Sequence, residues 1–160
     1  HVGDQAERVE ANRQRALAAL NLRYLVSVNQ VHGDRILSVD ESHQQVEPKG
    51  YDALIATLPG TGLLIQQADC QAILLYAPQA GVVAAIHCGW RGSVLGIIGK
   101  TIGRLRERHG VASESLLAVV SPSLGPCCAE FIHYRKELPS WMHAYQVRPN
   151  HFDNVALEYH

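Results

Sequence analysis

The chain has 160 residues, 47% of them apolar and 18% charged, with a formal net charge of −1. That length buries a real core without staples and reads as one domain over residues 1–160. The near-neutral balance offers no bulk field for nucleic acid or a membrane surface, and the longest apolar runs, such as Ile73-Leu74-Leu75-Tyr76, are strand-sized.

Asp4 and Glu7 have the spacing of a helix N-cap with a helpful third helical position. Val9, Ala16, Leu17 and Leu20 then predict a helix to about residue 21. Leu25 to Val28 reads as a strand running towards Gln30-Val31-His32, with Gly33-Asp34 as turn material. Arg35 to Asp40 alternates as a second strand, and polar Glu41 to Gly50 reads as a loop. Strands follow in quick succession over Ala53–Thr57, Leu63–Gln67, Ile73–Ala77 and Val82–Ile86. Gly92 to Arg108 predicts one long helix with Val94, Leu95, Ile98, Ile102 and Leu105 on a single face and Gly110 as its stop. Leu116–Val120 is a further strand, and past Phe131 the pattern is weak. The order of elements predicts an α/β (α+β) fold. The chain opens on a histidine and ends without an obvious closing element, so a trimmed protein is expected, with site residues contributed from elsewhere.

Cys70, Cys88, Cys127 and Cys128 do not form a disulfide framework in a chain of this size, and a reducing, cytoplasmic setting is expected. The adjacent pair Cys127-Cys128 lacks the spacing of a redox motif or zinc knuckle, chelates one metal poorly and reads as packing. His1, His43, His109, His133, His143, His151 and His160 sit in polar contexts and read as solvated.

Chemistry concentrates where predicted strands end. His32, Cys70 and His87 offer two imidazoles and a thiolate, the donor types of a catalytic zinc site with an open position. Separations of 38 and 17 residues suit strand ends gathered by a sheet, not a finger. By spacing alone, a backbone-bonded imidazole and a small apolar thiol in a turn fit equally well. Asp69 is either a carboxylate orienting a ligand or a turn cap. Arg91 either grips an anion or makes a surface salt bridge. Gly89 and Gly92 flank a sharp turn whose helix-start amides suit phosphate or carboxylate, and Trp90 reads as packing.

Gln30-Val31-His32-Gly33, Asp52-Ala53-Leu54-Ile55-Ala56-Thr57, Ala68-Asp69-Cys70, His87-Cys88-Gly89-Trp90-Arg91-Gly92 and Ser121-Pro122-Ser123-Leu124-Gly125-Pro126-Cys127-Cys128 occur here in the order of one family. With His1-Val2-Gly3-Asp4 and Glu10-Ala11-Asn12-Arg13, residues 1 to 128 resemble the polyphenol oxidoreductase (laccase-domain) family, described as purine nucleoside phosphorylase and adenosine deaminase-like proteins. The resemblance implies zinc held by His32, Cys70 and His87. The residues themselves offer Cys70, His87 and Asp69 as the candidate catalytic groups, Asp69 as the proton shuttle, and Arg91 and Gln30 as the candidate substrate contacts. The resemblance also implies mixed β-sheets in a sandwich-like arrangement flanked by helices, a fold shared with toxin-type cysteine deamidases. The implied reactions are phosphorolysis of adenosine, inosine and methylthioadenosine, and deamination of adenosine. The implied partners are a purine nucleoside and phosphate. Cys88 stands where the family usually has alanine, and Gln71-Ala72 replaces a residue–proline pair.

Two other enzyme readings remain open. Cys70 as nucleophile with His87 as base describes a cysteine hydrolase or amidase, and the resemblance, through family members linked to peptidoglycan-precursor editing, implies peptidoglycan precursors as its substrates. A copper-dependent polyphenol oxidase would need a cluster of paired histidines, and the chain contains no His-x-His; copper can still occupy the trio, because it outcompetes zinc at many N/S sites.

Overall fold

The computed structural model of the chain describes residues 3–44 and 46–153. In chain order its elements are α1 (Ala6–Ala19), β1 (Tyr24–Ser27), β2 (Ile36–Ser38), β3 (Ala53–Ala56), β4 (Thr61–Leu64), β5 (Gln71–Ala77), β6 (Val82–Cys88), α2 (Trp90–Leu95), α3 (Ile97–His109), β7 (Leu117–Val120), α4 (Tyr134–Glu137), β8 (Gln146–Arg148) and β9 (His151–Phe152). A five-stranded sheet in the order β2-β3-β6-β5-β7 forms the centre. Its β2–β3 pair is parallel and its other pairs are antiparallel, so the sheet is mixed. Strands β1 and β4 pair in parallel as a separate ribbon, and β8 with β9 makes a small hairpin.

Strand parity decides what each face buries. Ala53, Ile55, Val82, Ala84, Ile86 and Cys88 share one core with Ile97 and Leu105 of α3. Leu54 and Ala56 join Val26, Val28, Leu37 and Val39 in a second core beneath the β1–β4 ribbon. The layering is therefore helix, five-stranded sheet, ribbon. Every residue of β3 is buried, as a strand covered on both faces requires.

Several expectations shift. The expected single helix over Gly92–Arg108 is two helices, because Gly96 adopts a left-handed conformation (φ 71°) and breaks the run. Its apolar face divides accordingly. Val94 packs with Trp90 and Phe131 around Met142 and Phe152, whereas Ile98 and Ile102 stay with the α3 core. Leu95 is exposed. Gly110 does end α3, in the left-handed region, with its N–H bonded to the Arg106 carbonyl. Strand β4 starts at Thr61, inside the expected turn, because Gly62 lets β1 and Leu22 approach. A Cβ there would lie 2.6 Å from Leu22 Cδ1. Helix α1 begins after Gln5 instead of Asp4 and fully buries no side chain, and Leu20 is exposed. No helix among the described residues is long and apolar enough to cross a membrane.

Candidate metal centre

His87 occupies the second-last position of β6, with parity opposite to Cys88. It therefore points to the ribbon side, while Cys88 is consumed by the α3 core. The antiparallel register pairs Ala72 with His87 and Gln71 with Cys88, which carries Cys70 to the same end of the sheet, beside Gly89. His32 arrives from the loop after β1 in a left-handed conformation (φ 60°). The donor atoms of His32, Cys70 and His87 all lie within 4.8 Å of one another. The rings of His32 and His87 meet edge to face at 4.8 Å.

What fixes the His87 ring and the backbone turn at His32 is Asp52, at the foot of β3 and fully buried. Its carboxylate accepts from three consecutive backbone N–H groups: Val31 at 3.2 Å, His32 at 2.8 Å and Gly33 at 2.8 Å. The left-handed turn at His32 aims these amides at one anion. The same carboxylate lies 2.9 Å from His87 Nδ1. Burial alone pushes Asp52 up, but the His87 hydrogen bond and the N–H groups of Gly33, Val31 and His32 outweigh it and hold the carboxyl below its ordinary value. An ionised carboxylate can only accept, so Nδ1 of His87 carries the proton and Nε2 keeps a free lone pair. Partial desolvation, the neighbouring His87 and, more weakly, Arg91 hold His32 below the ordinary histidine value against the pull of Asp52. A neutral imidazole is the form that binds a metal.

The residues fit a zinc-type ion. Thiolate plus two imidazoles is a borderline-soft donor set. Tetrahedral coordination places donors about 3.5 Å apart, so the observed spread closes by small side-chain rotations. Space at the centre depends on Gly89, where a Cβ would lie 2.8 Å from Cys70 Sγ and 3.3 Å from His32 Cδ2.

The other expected site residues are distributed around this centre. Arg91 is exposed, stacks over the Trp90 ring at 4.3 Å, and acts electrostatically on His32. Trp90 packs edge to face on Phe131. Asp69 is exposed, and its carbonyl accepts from the Leu124 N–H. The carboxylate that orients His87 is Asp52, 35 residues away in sequence and immediately before β3, the strand that pairs with β6.

 The antiparallel β3–β6 register, which pairs Ala53 with Ile86, delivers Asp52 to His87. Gln30 spends its amide on the backbone of Gln66, donating to its carbonyl at 2.7 Å and accepting its N–H at 2.9 Å. The Ser121–Gly125 segment braces Cys70, since Ser121 N–H donates to the Ala72 carbonyl and Gln71 pairs with Ser123. Asp69, Cys70, Gly89, Trp90 and Phe131 help line a small cavity of about 110 Å³ beside the centre.

Two expectations about side chains are corrected. Cys127 and Cys128 are both exposed instead of packed, because the turn they occupy turns outward while Ala129 takes the buried position. His43, His109, His143 and His151 are half-buried instead of solvated, and His43 closes a capping box with Asp40. His1 and His160 lie outside the described residues. Asp52 and Gly89 are the residues that sequence reasoning missed as site components. A lone carboxylate leading an all-apolar strand was the available signal for Asp52.

A profile of the family described as multi-copper polyphenol oxidoreductase laccase matches residues 1–154. The chain belongs to this family. It is 36% identical over 131 residues to a purine nucleoside phosphorylase of Bacteroides thetaiotaomicron, covering 76% of this chain and 48% of that protein. It is 35% identical over 139 residues to adenosine deaminase RL5 of an unknown prokaryotic organism, covering 81% of this chain and 53% of that one. The crystal structure of YlmD from Geobacillus stearothermophilus superposes with a TM-score of 0.85 at 29% identity, over 99% of this chain and 66% of that one. The chain thus spans about half the length of these curated relatives.

Proposed function

We propose that this chain carries the metal centre of a zinc-dependent purine nucleoside phosphorylase that also deaminates adenosine. The observation that carries this reading is the convergence of His32, Cys70 and His87 within 4.8 Å on a face braced by Asp52. The names of the relatives supply the substrate class. Zinc held by the trio would supply Lewis-acid chemistry at the open side of the site. Asp52 keeps His87 in the Nδ1–H tautomer and His32 in its turn. Arg91, exposed and steadied by Trp90, is the cation for phosphate. Asp69 is the candidate proton shuttle and Gln30 the candidate substrate contact, its amide reaching substrate only after leaving Gln66. The 110 Å³ cavity is smaller than the roughly 300–1,000 Å³ of ordinary small-molecule pockets, which favours a nucleoside bound on the open side near His32 and Arg91.

The test is chromatography of adenosine incubated with the zinc-loaded protein, with and without phosphate. Adenine formed only with phosphate supports the phosphorylase, and inosine formed in either case supports the deaminase. Absence of both products, with zinc bound, rejects the reading.

A second reading rests on the same geometry. Cys70, His87 and Asp52 have the order of nucleophile, base and orienting acid, which suits a cysteine hydrolase or amidase. Metal analysis separates the two. Stoichiometric zinc lost in Cys70→Ala supports the metal centre. A metal-free protein inactivated by alkylation at Cys70 supports the hydrolase, and stoichiometric copper would revive the oxidase.

A further inference from the structure

The thiols of Cys127 and Cys128 lie 3.1 Å apart, and both residues are exposed. The turn that presents them is held at several points. Cys128 N–H and Ala129 N–H both donate to the Gly125 carbonyl, at 3.0 and 3.1 Å. Arg148 Nη2 donates to the Cys127 carbonyl at 2.6 Å, and the next residue, Ala129, is buried with its carbonyl accepting from the Phe152 N–H at 3.1 Å. Two sulfurs are therefore presented together on a fixed backbone, with no role in the metal centre.

We propose that Cys127 and Cys128 form a two-thiol site for a thiophilic trivalent metalloid of the arsenite or organoarsenical class. Geometry selects this ligand. An ion that takes two thiolates on opposite sides cannot be served by sulfurs already in contact. A pyramidal trivalent centre, with bonds near right angles to one another, takes two neighbouring sulfurs. Direct oxidation of the pair is disfavoured, since adjacent Cα atoms are about 3.8 Å apart, short of the roughly 4.4–6.8 Å of ordinary disulfides. In the capture step the arsenic–oxygen double bond breaks and two arsenic–sulfur bonds form. The oxygen leaves as water with both thiol protons. Arsenic remains trivalent, so no oxidant or reductant is consumed.

Intact-mass spectrometry of the full chain, reduced and then treated with one equivalent of phenylarsine oxide, tests the site. One phenylarsenic group should be gained with loss of two protons, and it should survive in Cys70→Ala. It should be lost in Cys127→Ser and in Cys128→Ser, exposed substitutions whose folding circular dichroism verifies. An adduct that persists in both serine variants, or an absent adduct in the unaltered chain, overturns the proposal.

Discussion

One oxygen of Asp52 serves both histidines of the candidate centre, accepting from the His32 backbone N–H at 2.8 Å and lying 2.9 Å from His87 Nδ1. Asp52→Asn keeps the shape but gives up the charge, and turns an N–H₂ towards groups that already donate. Loss of roughly 2–4 kcal/mol of stability is expected, from uncompensated buried donors. Denaturant unfolding measures it. Zinc affinity should fall about 10–100-fold, as for loss of any partner that orients a ligand; an unchanged affinity would remove Asp52 from the account.

Gly89→Ala tests the space at the centre. Its Cβ would sit 2.8 Å from Cys70 Sγ, so either the thiol or β6 must shift. The backbone at Gly89 is extended (φ −92°, ψ 173°), which alanine adopts freely, so the loss should appear in binding and not in the fold. Zinc titration against a chromophoric chelator should report at least about 10-fold weaker binding.

Metal removal should lower the melting temperature. An ion that binds only the folded state stabilises it by mass action, about 4 kcal/mol at a thousandfold excess over Kd. Chelator-treated protein should therefore melt earlier than zinc-loaded protein, and Cys70→Ala should melt at one temperature in both conditions.

The thiol pair has a pH signature of its own. The Cys127 thiol beside Cys128 pushes the latter above the ordinary cysteine value, by hydrogen bonding and then by charge. Since the thiolate is the nucleophile, Cys128 should alkylate slowly at pH 8 and faster at higher pH. Cys127→Ala brings Cys128 back down, so alkylation at pH 8 should accelerate. Peptide mapping with iodoacetamide reads both rates.

The core offers a test of the layering. Leu105 is buried between α3 and the sheet. Leu105→Ala should cost about 2–5 kcal/mol in denaturant unfolding and leave zinc binding intact, because the ribbon face that holds the donors is on the far side of the sheet.

Much of this protein follows from local chemistry. Runs of alternating or continuous apolar residues determined most strands, Gly110 determined the end of α3, and residue type alone singled out His32, Cys70 and His87. Local patterning failed where one residue's conformation outweighed periodicity, as at Gly96, which splits a continuous apolar stripe into two helices serving two cores. It also failed at Cys127 and Cys128, whose outward turn no spacing rule anticipates. Tertiary structure alone decided which carboxylate serves the centre. Asp69 is next to the candidate ligand Cys70 in sequence, but Asp52 reaches His87 through the β3–β6 pairing and meets three amides aimed by the turn at His32. A buried charge is stable only where several donors converge, and convergence of groups far apart in sequence is a property of the folded sheet.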